Sequence, residues 1–309
     1  MIKKTDKIYV AGHNGLVGSS IIRELKKQGY KNIIYKSRHQ LNLINQSRVY
    51  KFLKKEKPKF VFIAAAKVGG ILTNNSLRGQ FIFENLAIQN NLIDGSFQTG
   101  IKDLIFLGSN CVYPKNCPQP IKEEYLLNSF LEYTNEPYAI AKIAGIKLCE
   151  NYNLQYKTNY KCLMPSNLYG PNDNYNLQTS HFLPAIIIKA LNIKKKKDEK
   201  LTIWGDGKSK REVLFVDDVA DACVYFMNKK TSHSVINLGS GKDFNIKYYA
   251  SFVLKQLNIK TTIVYDKSKP IGTPRKLLDC RIANNYGWYP KTSLEKGISI
   301  TINDLNKNL

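Results

Sequence analysis

The first half of this 309-residue chain alternates short apolar runs with amphipathic stretches, and that alternation predicts an α/β fold. The expected architecture is a Rossmann-type doubly wound parallel sheet with a smaller C-terminal substrate-binding region. Three observations carry the expectation. A glycine turn, Gly12 to Gly18, joins the first apolar run to the first helical stretch. Apolar runs and helical periods then alternate as far as Pro165, the pattern of βαβ crossovers. After Pro165 the pattern loosens into polar stretches broken by short apolar runs. Residues 1–165 therefore read as a dinucleotide-binding domain, with later sheet elements near 212–238. Residues 166–309 read as mainly substrate-binding. At roughly 150 residues per domain, the length suits this division.

In order, Lys7 to Ala11 reads as a buried strand, and Ser19 to Gln28 as a helix with Ile21, Ile22 and Leu25 on its apolar face. Asn32 to Tyr35 is a second strand, Val49 to Lys55 continues a helix, and Phe60 to Ala65 is a third strand. Phe81 to Gln98 and Glu136 to Asn153 read as long helices on either side of a strand at Asp103 to Gly108. Crossovers of this kind are right-handed, so few topologies remain. In the second half, Phe182 to Leu191 reads as a helix, Glu212 to Val216 as a strand and Asp221 to Met227 as a helix. Val235 to Leu238 returns to the sheet.

Composition narrows the class. With 43% hydrophobic and 23% charged residues, the chain is globular, not disordered. It has no apolar run of roughly 18 residues, so no spanning helix and no membrane partner are expected. The basic N-terminus leads into an apolar run broken at Gly12 to Gly15, which makes a poor signal peptide. The six cysteines are Cys111, Cys117, Cys149, Cys162, Cys223 and Cys280, and none lies in a C-x-x-C pair. That usage suits a reduced, cytoplasmic protein without a disulfide framework or metal site. The net charge of +23 raises the question of a polyanionic partner. The lysines are scattered, however, and the densest run, Lys194 to Lys197, sits beside Asp198 and Glu199 in an expected loop. No nucleic-acid partner is expected, and the positive field favours phosphorylated small molecules.

Three motifs carry chemistry. Gly12, His13, Asn14, Gly15, Leu16, Val17 and Gly18 follow a strand and open a helix. Glycines there let the backbone approach a pyrophosphate on the positive end of that helix. The end of the second strand reads Lys36, Ser37, Arg38. Two cations where a carboxylate would hold ribose hydroxyls favour a 2′-phosphate, and so NADP(H) over NAD(H). Finally, Ser109 lies just past a strand, and Tyr138 and Lys142 stand four apart on one helix face. A phenol titrates near 10, and a neighbouring ammonium favours its phenolate. Such a set can donate a proton to a developing alkoxide while Ser109 holds the carbonyl oxygen. Cys111, two residues further on, can face the same pocket from the strand end, and a cationic site would lower its thiol pKa. His181 ends a polar loop before an apolar helix, a position open to a cleft.

These motifs sit within longer stretches that resemble the extended short-chain dehydrogenase/reductases acting on nucleotide sugars. More narrowly, they resemble the GDP-L-fucose synthase family. The matching stretches include Ala64 to Ile71, Gly108 to Pro114, Asn135 to Lys142, Pro165 to Pro171, Trp204-Gly205, Arg211-Glu212 and Gly272 to Lys276, and they run over nearly the whole chain. The resemblance implies a GDP-4-keto-sugar substrate, NADPH-dependent reduction at C4, and C3/C5 epimerisation in the same site. It implies that Cys111 is the epimerisation base and His181 the acid, that Tyr138 polarises the ketone, and that Lys142 tunes Tyr138 and binds the nicotinamide ribose. It adds Ala65, Pro165, Asn167, Leu168 and His181 to the cofactor site, and Asn167, Lys189, Trp204, Arg211 and Lys276 to the substrate site. It also implies a homodimer through the two long helices.

The chain departs from the family pattern at three positions. Asn14 stands where the family has Arg, so 2′-phosphate recognition rests on Lys36 and Arg38. Asn110 replaces a Ser. Ile271 replaces an Asp, which removes an acceptor for a substrate hydroxyl or base. A GDP-4-keto-heptose C4-reductase with little or no epimerase activity therefore stays open. A sugar-nucleotide dehydratase is disfavoured, because related dehydratases carry an acidic pair where this chain has Asn110-Cys111.

Overall fold

The computed structural model describes residues 2–196, 200–269 and 272–308. Ile271 and the end of the lysine run, with Asp198 and Glu199, lie outside the described residues.

The elements in order are β1 (Ile8–Ala11), α1 (Leu16–Lys27), β2 (Ile33–Ile34), α2 (Gln46–Glu56), β3 (Phe60–Ile63), α3 (Ile71–Ser76), α4 (Arg78–Gln98), β4 (Asp103–Leu107), α5 (Glu136–Tyr156) and β5 (Asn159–Pro165). There follow β6 (Asn167–Tyr169), α6 (Phe182–Lys196), β7 (Leu201–Trp204), β8 (Lys210–Phe215), α7 (Val216–Asn228) and β9 (Val235–Leu238). Last come β10 (Asp243–Asn245), α8 (Ile246–Gln256), β11 (Ile263–Asp266), β12 (Arg275–Lys276), α9 (Arg281–Asn285) and α10 (Leu294–Asn308).

Among the described residues the main sheet has the order β2-β1-β3-β4-β5-β9, and every pairing in it is parallel. Strands buried on both faces read as unbroken apolar runs, which is why Ile8–Ala11 and Phe60–Ile63 show no alternation. On one face, α1 and α7 pack Ile21, Leu25 and Phe226 against the sheet. On the other, α2, α4 and α5 supply Val49, Leu53, Leu92, Ile93 and Ile146. A third apolar cluster joins α6, α8 and α10 beside the smaller sheets. There β8 pairs with β6, β10 and β12, and β7 pairs with β11.

Several boundaries differ from the sequence reading. The first helix begins at Leu16, not Ser19, because Gly15 is its extended N-cap and Gly18 belongs to its first turn. The helix expected from Asp221 begins at Val216, with Asp217 and Asp218 in a first turn that favours acidic side chains. Cys111 does not extend the strand: β4 ends at Leu107, and Asn110–Val112 is a 3₁₀ turn capped by Ser109. The short α3, and most of the elements after β9, carry no periodic signal long enough to read.

A buried polar knot ties the two halves of the chain together. The Ile121 N–H donates to Leu277 O (2.7 Å), and the Asp279 N–H donates to Ile121 O (2.8 Å). The Asn237 side chain donates to Ile121 O and Asp279 O and accepts the Tyr113 hydroxyl at 2.6 Å. Glu212, fully buried, accepts the backbone N–H groups of Leu278 (2.9 Å) and Gly241 (2.7 Å). Burial pushes its carboxyl up to about 7 against those bonds. An unpaired group here would cost about 1–3 kcal/mol, so the knot holds as a unit.

The glycine turn is close-packed. Gly12 has φ +88°, and a Cβ on Gly18 would stand 2.1 Å from Gly12 O. Gly18→Ala is expected to cost about 1–3 kcal/mol by overpacking. A thermal melt should show this as a fall in Tm of several degrees.

Candidate active site

A cleft of 650 Å³ opens over the carboxyl ends of β1, β3, β4 and β5. Strand order reverses between β1 and β3, and the crevice outside such a reversal is where α/β sheets bind ligands. Gly12, Asn14, Gly15, Leu16 and Val17 form one wall, with Ala65, Pro165, Asn167 and Leu168 nearby. Gly18 is not in the lining; it packs behind the turn against Gly12.

The wall fits a dinucleotide on its own geometry. The N-terminus of α1 has no side-chain cap, so its first N–H groups remain available to an anion. A Cβ on Gly15 would meet only Gly12 O, at 3.5 Å, so the backbone is open to close approach there. Four buried atoms of lining residues, Asn74 Oδ1, Asp173 Oδ2 and the donors Asn110 Nδ2 and Ser166 Oγ, have no partner among the described residues. Buried donors in that state point to a ligand. Lys36 and Arg38 line the same wall. Arg38 lies 3.8 Å from Glu84, which Lys67 also holds at 2.7 Å, so Arg38 shares its carboxylate and most of its side chain stays exposed.

Ser109, Tyr138 and Lys142 meet in the cleft. Burial raises the Tyr138 hydroxyl well above its usual 10, the charge of Cys111 adds to this, and a hydrogen bond from Ser109 partly offsets it. Burial also lowers Lys142 to about 7. Its Nζ donates to Leu107 O at 2.7 Å and lies 5.9 Å from the Tyr138 ring centroid. Here the expected electrostatics are corrected: burial, not the Lys142 ammonium, governs the hydroxyl, and the protein's own groups hold Tyr138 as a phenol. A phenol is the form that can donate a proton.

Cys111 and His181 share this cleft. The Cys111 N–H donates to Ser109 Oγ at 3.2 Å, and its thiol lies 3.7 Å from Asn110 Oδ1. His181 precedes α6, and its carbonyl accepts the Ala185 N–H at 3.1 Å. Its ring reaches solvent through the cleft mouth, yet protein surrounds it deeply enough that desolvation, and then Lys276, lower its pKa.

The expected substrate contacts divide. Asn167 lines the cleft and donates to Glu212 O at 2.8 Å. Lys276 reaches the thiol itself, with Nζ 3.5 Å from Cys111 Sγ. Arg211, on β8, feels the charge of Cys111 and Glu132 and stands 3.4 Å from where a Gly272 side chain would begin. Lys189 and Trp204 lie apart from the lining, with Lys189 Nζ donating to Thr202 O and lying 6.0 Å from the indole.

Sequence reasoning missed Glu84, Ser166 and Asp173. Asp173 lines the cleft, and burial pushes its carboxyl up to about 7. Its signal was present in the polar stretch from Gly170 to Ser180, but nothing local distinguishes it from a solvated loop. Glu84 was hidden within the long helix.

Comparison with known proteins agrees with this geometry. The sequence model of the NAD dependent epimerase/dehydratase family matches residues 8–239. A putative GDP-L-fucose synthase 2 of Arabidopsis thaliana is 48% identical over 97% of this chain and 92% of its own length. The GDP-L-fucose synthase of Escherichia coli (strain K12) is 43% identical over 96% of this chain and 95% of its own. A GDP-6-OMe-4-keto-L-xylo-heptose reductase from C. jejuni superposes with a TM-score of 0.93 at 35% identity, covering 100% of this chain and 99% of that one. With the family model spanning most of its length and relatives this close over nearly all of it, the chain belongs to the NAD dependent epimerase/dehydratase family.

Proposed function

We propose that the chain catalyses NADPH-dependent reduction of the C4 ketone of a GDP-4-keto sugar, together with epimerisation at C3 and C5, as in GDP-L-fucose synthesis. One observation carries the reading: Cys111 and His181 stand in the same cleft as Ser109, Tyr138 and Lys142. Reduction alone needs only the last three.

Lys36 and Arg38 would hold the 2′-phosphate of NADP(H), and the α1 N-terminus its pyrophosphate. Lys142, Ala65, Pro165, Asn167, Leu168 and His181 would flank the rest of it. When bound, NADPH supplies the hydride for C4. Ser109 and Tyr138 hold O4 by hydrogen bonds that strengthen as it gains negative charge, whether as enolate or as alkoxide. The Cys111 thiolate takes the proton α to the ketone, and His181 returns one to the opposite face from its imidazolium, the form that burial and Lys276 disfavour. Tyr138 finally gives its proton to the alkoxide. Arg211 neutralises substrate phosphate, with Lys189 and Trp204 further along the sugar nucleotide. The protein would work in the cytoplasm, divided near residue 165, and as a homodimer through α4 and α5. Those helices leave Phe83, Ile140 and Leu154 exposed, while no helix among the described residues is long and apolar enough to cross a membrane.

A second reading, GDP-4-keto-heptose C4-reduction, is favoured by the close superposition on the C. jejuni heptose reductase. Turnover of GDP-4-keto-6-deoxy-mannose in deuterated water separates the two. Deuterium at C3 and C5 of a C4-reduced product supports the first reading. A reduced product without it, or turnover of the heptose alone, supports the second.

Tyr138→Phe is expected to slow C4 reduction by about 10²–10⁴-fold, and near-normal turnover would overturn its role. Cys111→Ser should lose deuterium incorporation. Removing both Lys36 and Arg38 side chains to Ala should raise the NADPH KM by on the order of tenfold or more and leave that for NADH nearly unchanged. Lys142 is held near 7 in the fold but titrates at 10.5 unfolded, so its burial cost is full below about pH 7 and fades as pH climbs to the unfolded value. Lys142→Met should therefore raise the Tm of the cofactor-free protein most at about pH 6, with the gain shrinking towards about pH 10.

A further inference from the structure

The Lys276 ammonium lies 3.5 Å from Cys111 Sγ and is almost entirely buried. It comes from β12, only two residues long, so the strand itself does little to fix it. The fixing comes from elsewhere. The Gln119 side chain accepts the Leu277 N–H at 2.9 Å and donates to Arg275 O at 3.4 Å, bracketing Lys276 on both sides. The same amide donates to Cys117 O at 3.4 Å, in the loop that carries Cys111. One step further along, Ile121 and Leu278 form a parallel bridge, and Glu212 holds the Leu278 N–H. The loop after β4 and the segment 275–279 are thus zipped together with no substrate required.

We propose that Lys276 is a further catalytic residue, stabilising the Cys111 thiolate that takes the substrate proton, and that Gln119 is the positioning residue that holds it there. The family resemblance gave Lys276 only a substrate-binding place. The inference rests on the reading of Cys111 as the epimerisation base. A cation in contact with a thiol favours its ionised form. The other ionisable groups facing Cys111 are Tyr138 from α5 and Arg211 from β8, and Glu132 acts on Arg211. Burial first and Lys276 second disfavour charge on the His181 imidazole, and at Cys117 burial raises the thiol while Lys276 partly offsets it. The ammonium is therefore central to the acid–base pair, not peripheral to it.

The main readout needs no substrate. The rate of iodoacetamide alkylation at Cys111, followed by peptide mapping against pH in the full-length protein, reads its thiolate directly. Lys276→Met should move the profile to higher pH and slow alkylation at pH 7 about tenfold, while Lys276→Arg should restore much of it. Gln119→Ala should shift the profile in the same direction by a smaller amount, because it loosens the ammonium without removing it. If Lys276→Met folds with an unchanged melt and its profile superposes on that of the parent protein, the inference is overturned. A raised substrate KM with an unmoved profile would assign Lys276 to phosphate binding alone and overturn it equally. Should Lys276→Met fail to fold, Gln119→Ala decides, and an unmoved profile there rejects the proposal. Deuterium incorporation by Cys111→Ser is measured alongside. Normal exchange there would reject the base assignment itself, separately from any result at Lys276.

Discussion

In a parallel sheet every strand ends at the same edge, and the whole cleft follows from that constraint. β1 delivers the glycine turn, β3 delivers Ala65, β4 delivers Ser109 and Cys111, and β5 delivers Ser166 and Asn167. No one of these segments is a site. Their convergence is imposed by backbone pairing, from Ile8 against Phe60 through Leu107 against Leu163. Helices on both faces keep the sheet dry, and the crossovers leave the loops free to carry chemistry.

The second half of the chain adds what the sheet cannot supply. β12 and β8 bring Lys276 and Arg211 towards the thiol, and α6 brings His181. These cations reach a cleft whose titratable groups are otherwise governed by desolvation. Tyr138 is kept a phenol, and Lys142 and His181 are pushed towards neutrality. Burial favours the uncharged form of each group, while Lys276 favours an anion at Cys111. The cleft therefore holds a buried phenol and, close by, a thiol in contact with a cation. Both exist because the polar knot of Tyr113, Asn237, Glu212 and Gln119 fixes the two halves in register.

Much of this was legible in local sequence. A glycine turn flanked by a strand and a helix, two cations at the next strand end, and a Tyr and Lys four apart are short-range signals whose spacing alone fixes their geometry. The long helices were legible from their length, and the fully buried strands as short unbroken apolar runs. The first turn of α7, the start of α1 and the 3₁₀ turn at Cys111 were not. Each depends on a cap or a neighbour outside the periodic window: Gly15, the acidic pair Asp217 and Asp218, and the Ser109 hydroxyl.

By itself, then, the sequence determined the fold class and the dinucleotide turn, and it singled out Ser109, Cys111, Tyr138, Lys142 and His181, which the fold gathers in one cleft, since each of these signals is written in a short stretch of residues. Only the tertiary structure decided who stands beside whom. That Lys276 meets Cys111 across 165 positions, that Gln119 reaches Leu277 across 158, and that burial keeps Tyr138 a phenol are long-range facts. They depend on how far each charge is removed from water and on which loops the sheet brings together, and no local window of sequence records either.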